Sequence, residues 1–72
     1  MTAEFTVETF PNWTPGLNFF VWQMFRSAML DQNMSIEEAL EAIKKEADNE
    51  SSEAKKRSAD RIATHLRQTL AP

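Results

Sequence analysis

The sequence predicts an all-α protein, a small three-helix bundle behind an extended N-terminal arm. Three observations carry that expectation. Leu17–Leu30, LNFFVWQMFRSAML, is apolar nearly all the way round a helical wheel. Ser35 and Glu38 form a capping box ahead of Ile36, Ala39, Leu40, Ile43 and Ala47, which recur at helical spacing. Beyond the break at Asp48–Ser52, the apolar residues Ala59, Ile62, Ala63, Leu66 and Leu70 again share one face. Helices are therefore expected near 16–31, 36–48 and 52–70, with an arm over 1–15 and a helical domain over 16–72.

The arm opens with alternation: Ala3, Phe5 and Val7 on one side, Glu4, Thr6 and Glu8 on the other. That is the period of a half-buried strand, so 3–8 is a candidate short strand. The chain offers it no second strand, which leaves another copy or another protein as ladder partner, or a mobile arm. Phe10–Pro15, FPNWTP, reads as a connector because each proline biases its predecessor toward extended backbone. Thr14 then suits an N-cap and Pro15 the first helical position, while Gly16, a weak helix former, permits a start a residue or two later.

In the first helix, Leu17, Phe20, Val21, Met24 and Ala28 fall on one face at 100° per residue, and Phe20, Val21 and Met24 are assigned to the core. Phe19, Trp22, Met29 and Leu30 fall largely on the other side. Asp31–Met34 is the turn. Asp31, Asn33 and Ser35 imitate the opening of a calcium loop, but Ile36 and Ala42 stand where the geometry needs Gly and Glu. In the second helix Glu37 and Glu38 lie in the first turn and Lys44 and Lys45 near the last, which suits the dipole. Glu41–Lys45, Glu53–Arg57 and Lys56–Asp60 are candidate i,i+4 pairs. The early turns of the third helix, Glu53–Ser58, hold only Ala54 as an apolar residue and are expected to project or fray.

Composition narrows the chemistry. The 72 residues include no Cys and one His, so disulfides and thiolate metal sites are excluded, and no metal or other cofactor is expected. Catalysis needs a positioned nucleophile, base or metal. The single imidazole, His65, lies at the border of an apolar face, and the chain reads as a non-enzyme. Glu37, Glu38 and Glu41 read as a solvated surface. The start, MTAEFTVETF, lacks a basic n-region and a long apolar run, so a cytoplasmic protein without a membrane segment is expected. Residues 1–50 carry nine carboxylates against three cations, a balance of −6, and residues 51–72 carry five cations against two carboxylates, a balance of +3.

The surplus of aromatic residues points to binding, with full burial by a folded-back arm as the alternative. Two modest apolar stripes can cover one side of the first helix, and exposed Trp, Phe and Met are the material of interface hot spots. The expected partner-binding residues are Trp13, Phe19, Trp22, Phe25 and Met29, with a protein partner or a second copy of the chain on the other side. The alternative is a nucleic-acid-binding homodimer using Lys55, Lys56, Arg57, Arg61 and Arg67, and a third reading is a structural subunit of a larger assembly. No aromatic is interleaved with those cations to stack a base.

Three resemblances bear on this. Ser35–Leu40, SIEEAL, resembles a helix start near the C-terminus of periplasmic sugar-binding proteins; it spans six residues of capping chemistry and implies no function. A strand followed by two helices resembles, in outline, the ribbon-helix-helix repressors, which dimerise through their strand, but Glu4 and Glu8 on the outward face would repel phosphate. In size, acidity and lack of catalytic groups the chain resembles the small bacteriophage proteins that bind a host machine such as RNA polymerase. That resemblance implies a regulator or inhibitor of transcription.

The capping box yields a direct test. Ser35→Ala is expected to lower stability by about 0.5–2 kcal/mol in urea denaturation, because it removes the acceptor for a first-turn amide.

Overall fold

The computed structural model describes residues 4–71. Its elements are α1, Phe19–Leu30; α2, Ile36–Asn49; and α3, Glu53–Leu70. The protein is all-α, as expected, and there is no strand among the described residues. α2 and α3 form the most extensive helix pair, and α1 lies across both.

The cap chemistry explains the boundaries. α1 begins later than 16 because Thr14–Leu17 is a β-turn. The Leu17 N–H donates to the Thr14 carbonyl at 3.3 Å, with Pro15 first and Gly16 second of the central residues. Gly16 has φ +102°, the left-handed backbone that a type II turn demands at that position. A residue so placed cannot belong to the first turn of a helix, so the N-cap passes from Thr14 to Asn18, whose side chain accepts from the Val21 N–H. α2 starts at the expected capping box: the Glu38 N–H donates to Ser35 Oγ at 3.2 Å, and the Ser35 N–H donates to Glu38 Oε1 at 2.9 Å.

The joint between α2 and α3 takes three residues, Glu50, Ser51 and Ser52. The Ser52 N–H donates to the Ala47 carbonyl at 2.8 Å and the Ser51 N–H to that of Asp48 at 3.0 Å, a Schellman ending. Ser51 occupies its left-handed position at φ 54°, where glycine is the usual residue. Ser52 at once caps α3 by accepting from the Lys55 N–H. The first turns of α3 are tied to this joint. Lys55 Nζ reaches Glu50 at 2.8 Å, and Lys56 Nζ contacts Asp48 and Glu53. Lys44–Asp60 and Arg67–Glu37 link α2 to α3 further along. Of the i,i+4 pairs expected from sequence none forms: Lys56 turns back to Asp48, Asp60 is taken by Lys44, and Glu41–Lys45 and Glu53–Arg57 are not paired.

The arm differs most from expectation. Over 4–8 it is not a strand, and Ala3 lies outside the described residues. Instead Thr6–Phe10 makes one turn of helix, the Phe10 N–H donating to the Thr6 carbonyl at 2.9 Å. The two threonines cap it reciprocally: the Thr6 N–H donates to Thr9 Oγ1 at 2.8 Å and the Thr9 N–H to Thr6 Oγ1 at 3.2 Å. Phe5, just before the cap, and Phe10, four residues after it, pack edge-to-face with centroids 5.3 Å apart, as in a hydrophobic staple. Both rings are buried in the core. Glu4 anchors the same segment by accepting from the Ile36 N–H at 3.1 Å, a carboxylate on the positive end of α2.

That docking decides which side of α1 turns inward. Phe10 meets Trp22 edge-to-face at 5.6 Å, and Val21, Trp22, Phe25, Ala28 and Met29 form the buried stripe, with Ile62, Ala63 and Leu66 of α3 and Ile36, Ala39 and Ile43 of α2 completing the core. Phe20, assigned to the core on sequence, is instead exposed, and Met24 is half-buried. The Trp22 indole N–H is buried with no hydrogen-bond partner among the described residues, a loss of about 1–3 kcal/mol relative to a satisfied donor.

Trp22→Ala and Phe10→Ala are each expected to cost about 3–5 kcal/mol, enough to unfold a domain of this size. Trp22→Phe removes the orphan N–H while keeping a ring, and its midpoint in thermal denaturation should lie far closer to the parent's.

Candidate protein-binding face

The packing sorts the five expected binding residues into two groups. Trp22, Phe25 and Met29 are 7%, 0% and 0% exposed and belong to the core of the monomer. Their assignment to a partner face is corrected: the arm folds back, the alternative to a partner for these residues, and lays Phe5 and Phe10 over that side of α1. Trp13 and Phe19, at 38% and 44%, remain at the surface, and Phe20, at 77%, joins them.

These three rings are contiguous. Trp13 and Phe19 meet edge-to-face at 5.5 Å, and Phe19 and Phe20 at 6.0 Å. Phe19 also stacks on buried Trp22 at 6.3 Å, which ties the patch to the core. The Trp13 indole N–H donates to the Leu17 carbonyl at 3.0 Å. The Pro15–Gly16 turn thus folds Trp13 back onto α1 and fixes its ring, so little rotamer freedom is left to lose on binding.

Phe20 also stands one turn before Gln23 and Met24 on the same side of α1. Those residues open a groove of about 360 Å³ between α1 and α2. Met24, Ala28, Met34, Ala42 and Ile43 make its apolar surface and Glu46 its one charge. The aromatic patch therefore runs into a groove with an acidic edge.

The cations proposed for nucleic acid are largely engaged elsewhere. Arg67 Nε donates to Glu37 at 2.7 Å, Lys55 holds Glu50, and Lys56 holds Asp48 and Glu53. The hydrogen bond to Glu50 keeps the Lys55 pKa above its ordinary value, and that to Asp48 does the same for Lys56. Arg57 and Arg61 are exposed and have no ion pair among the described residues. His65 is half-buried beside Arg61, facing the Thr14–Leu17 turn. Among the described residues no three His, Asp or Glu side chains are grouped to hold a metal ion, and no helix is long and apolar enough to cross a membrane.

Compared with known protein families, curated proteins and solved structures, the chain matches none. Function must be argued from this surface itself.

The signal that separates exposed Phe20 from buried Trp22, Phe25 and Met29 lies in the arm. F-T-x-x-T-F over Phe5–Phe10 is a capping box inside a hydrophobic staple, and it marks the arm as a docking element. Once two phenylalanines are spent on Trp22, Phe20 has nothing to cover it.

The two tryptophans should report the arrangement. Acrylamide is expected to quench Trp13 and leave Trp22 nearly untouched, so Trp13→Phe should lower the Stern–Volmer slope sharply and shift the remaining emission to the blue.

Proposed function

We propose that the chain is a non-enzymatic protein-binding regulator whose contact surface is the patch of Trp13, Phe19 and Phe20. The observation that carries the reading is Phe20, 77% exposed at the start of α1 between an ordered aromatic pair and a groove. Leaving a phenylalanine ring in water forgoes about 1.5–3 kcal/mol of burial, so its natural complement is an apolar surface on another molecule. Trp and Phe at such a position are the usual anchors of an interface. The acidic balance of residues 1–50 favours a partner with basic character, and the internal pairing of Lys55, Lys56 and Arg67 argues against a phosphate backbone as the main target.

The test separates binding from folding. Phe20→Ala should leave the circular dichroism spectrum and thermal midpoint close to those of the parent. It should weaken capture of the cellular partner, or self-association measured by sedimentation, by about thirtyfold or more, the equivalent of 2 kcal/mol. A Phe20→Ala protein that binds as the parent does would remove the patch from consideration.

A further inference from the structure

We propose that the groove between α1 and α2 receives an amphipathic helix of the partner protein, with aliphatic anchors against Met24 and Met34 and a Lys or Arg on its flank paired with Glu46. This rests on the reading of the Phe20 end of α1 as a protein-binding surface.

The shape is that of a helix receptor. α1 and α2 wall the groove, with Met24 and Ala28 of α1, Ala42 and Ile43 of α2, and Met34 of the turn between them as its apolar lining. An amphipathic helix offers apolar side chains at i, i+3, i+4 and i+7, the spacing that such a groove reads. Both methionines are half-buried, so each already contacts the core and still presents surface. Unbranched thioether side chains adapt to anchors of different shape, as binding grooves require. Phe20, at the head of the groove, extends the apolar track by one further turn of α1.

Charge selects the occupant. Glu46 is the one charged residue in the lining, where Gln23, Ser27 and Gln32 supply the other polar groups. Its carboxylate is exposed and has no ion pair among the described residues. The Lys55 ammonium is bound to Glu50 at 2.8 Å, the main cause of its raised pKa, to which the Glu46 charge adds. Asp31 accepts from Ser27 Oγ, a lining residue, at 3.2 Å and adds a second negative charge beside the lining. No Lys or Arg lines the groove. A helix with carboxylates on its flank would meet repulsion there, and one with Lys or Arg would gain a charge pair at the rim of an apolar contact.

The experiment uses the full chain with isotopically labelled methionine methyl groups and three synthetic helices. One has leucine at i, i+3, i+4 and i+7 with lysine elsewhere; one replaces the lysines by glutamates; one replaces the leucines by alanines. Titration with the leucine–lysine helix should shift the methyl signals of Met24 and Met34 and leave that of Met29, fully buried, in place. The glutamate helix and the alanine helix should each bind at least tenfold more weakly. Glu46→Lys should weaken the leucine–lysine helix by about tenfold, as expected for loss of a rim charge pair and its replacement by repulsion. Glu41→Lys makes the same change of net charge elsewhere on α2 and should leave its affinity within about twofold of the parent's.

Equal losses in Glu46→Lys and Glu41→Lys would show attraction to net charge alone and would overturn the proposal. Shifts confined to signals other than Met24 and Met34, or no binding of the leucine–lysine helix, would overturn it as well. None of these results touches Phe20→Ala, which scores the aromatic patch against the cellular partner. The groove assignment can therefore fail while the patch stands, and the patch can fail separately.

Discussion

The edge-to-face run from Phe5 through Phe10 to Trp22 sets the rest of the molecule. A chain of 72 residues has too little helix to bury an α1 that is apolar on every side, and small domains live on thin cores. The arm supplies the missing cover. Its single capped turn holds Phe5 and Phe10 5.3 Å apart, Phe10 lies 5.6 Å from Trp22, and Glu4 fastens the segment to the first amide of α2. Each of these contacts is weak alone. Together they rotate Trp22, Phe25 and Met29 inward and leave Phe20 outside.

The exposed aromatics are thus a consequence of the packing and stay coupled to it. Phe19 stacks on Trp22, and Trp13 is held by the Leu17 carbonyl, so the surface patch is ordered by the core beneath it. Binding to such a patch begins from a rigid surface. The Met24–Met34 groove beside it is lined by flexible thioether side chains and is the more adaptable part of this surface.

Electrostatics act on a different side of the molecule. The basic balance of residues 51–72 suggests an exposed cationic helix when counted along the chain. In space, Lys55, Lys56 and Arg67 turn to carboxylates of the α2–α3 joint and of α2. Exposed pairs of this kind add little to stability. They do consume the charge that a nucleic acid would need, while Glu41 and Glu46 remain without ion pairs among the described residues and give α2 its acidic surface.

Much of the fold was legible because it depends on neighbours a few residues apart. The capping box at Ser35, the apolar stripes of α2 and α3, and the break at Asp48–Ser52 are local, and the helices appear within a few residues of their expected limits. Two further local signals were present and misread. Pro15–Gly16 is a turn before it is a helix start, because Gly16 takes a positive φ, and F-T-x-x-T-F is a stapled turn before it is a strand. The inward face of α1 was of another kind. Leu17, Phe20, Val21, Met24 and Ala28 make one helical stripe and Val21, Trp22, Phe25, Ala28 and Met29 make another, sharing Val21 and Ala28. Periodicity weighs the two equally. Only the tertiary structure chose between them, because the cover for the second stripe comes from Phe5 and Phe10, more than ten residues away in the chain and brought close by the docked arm.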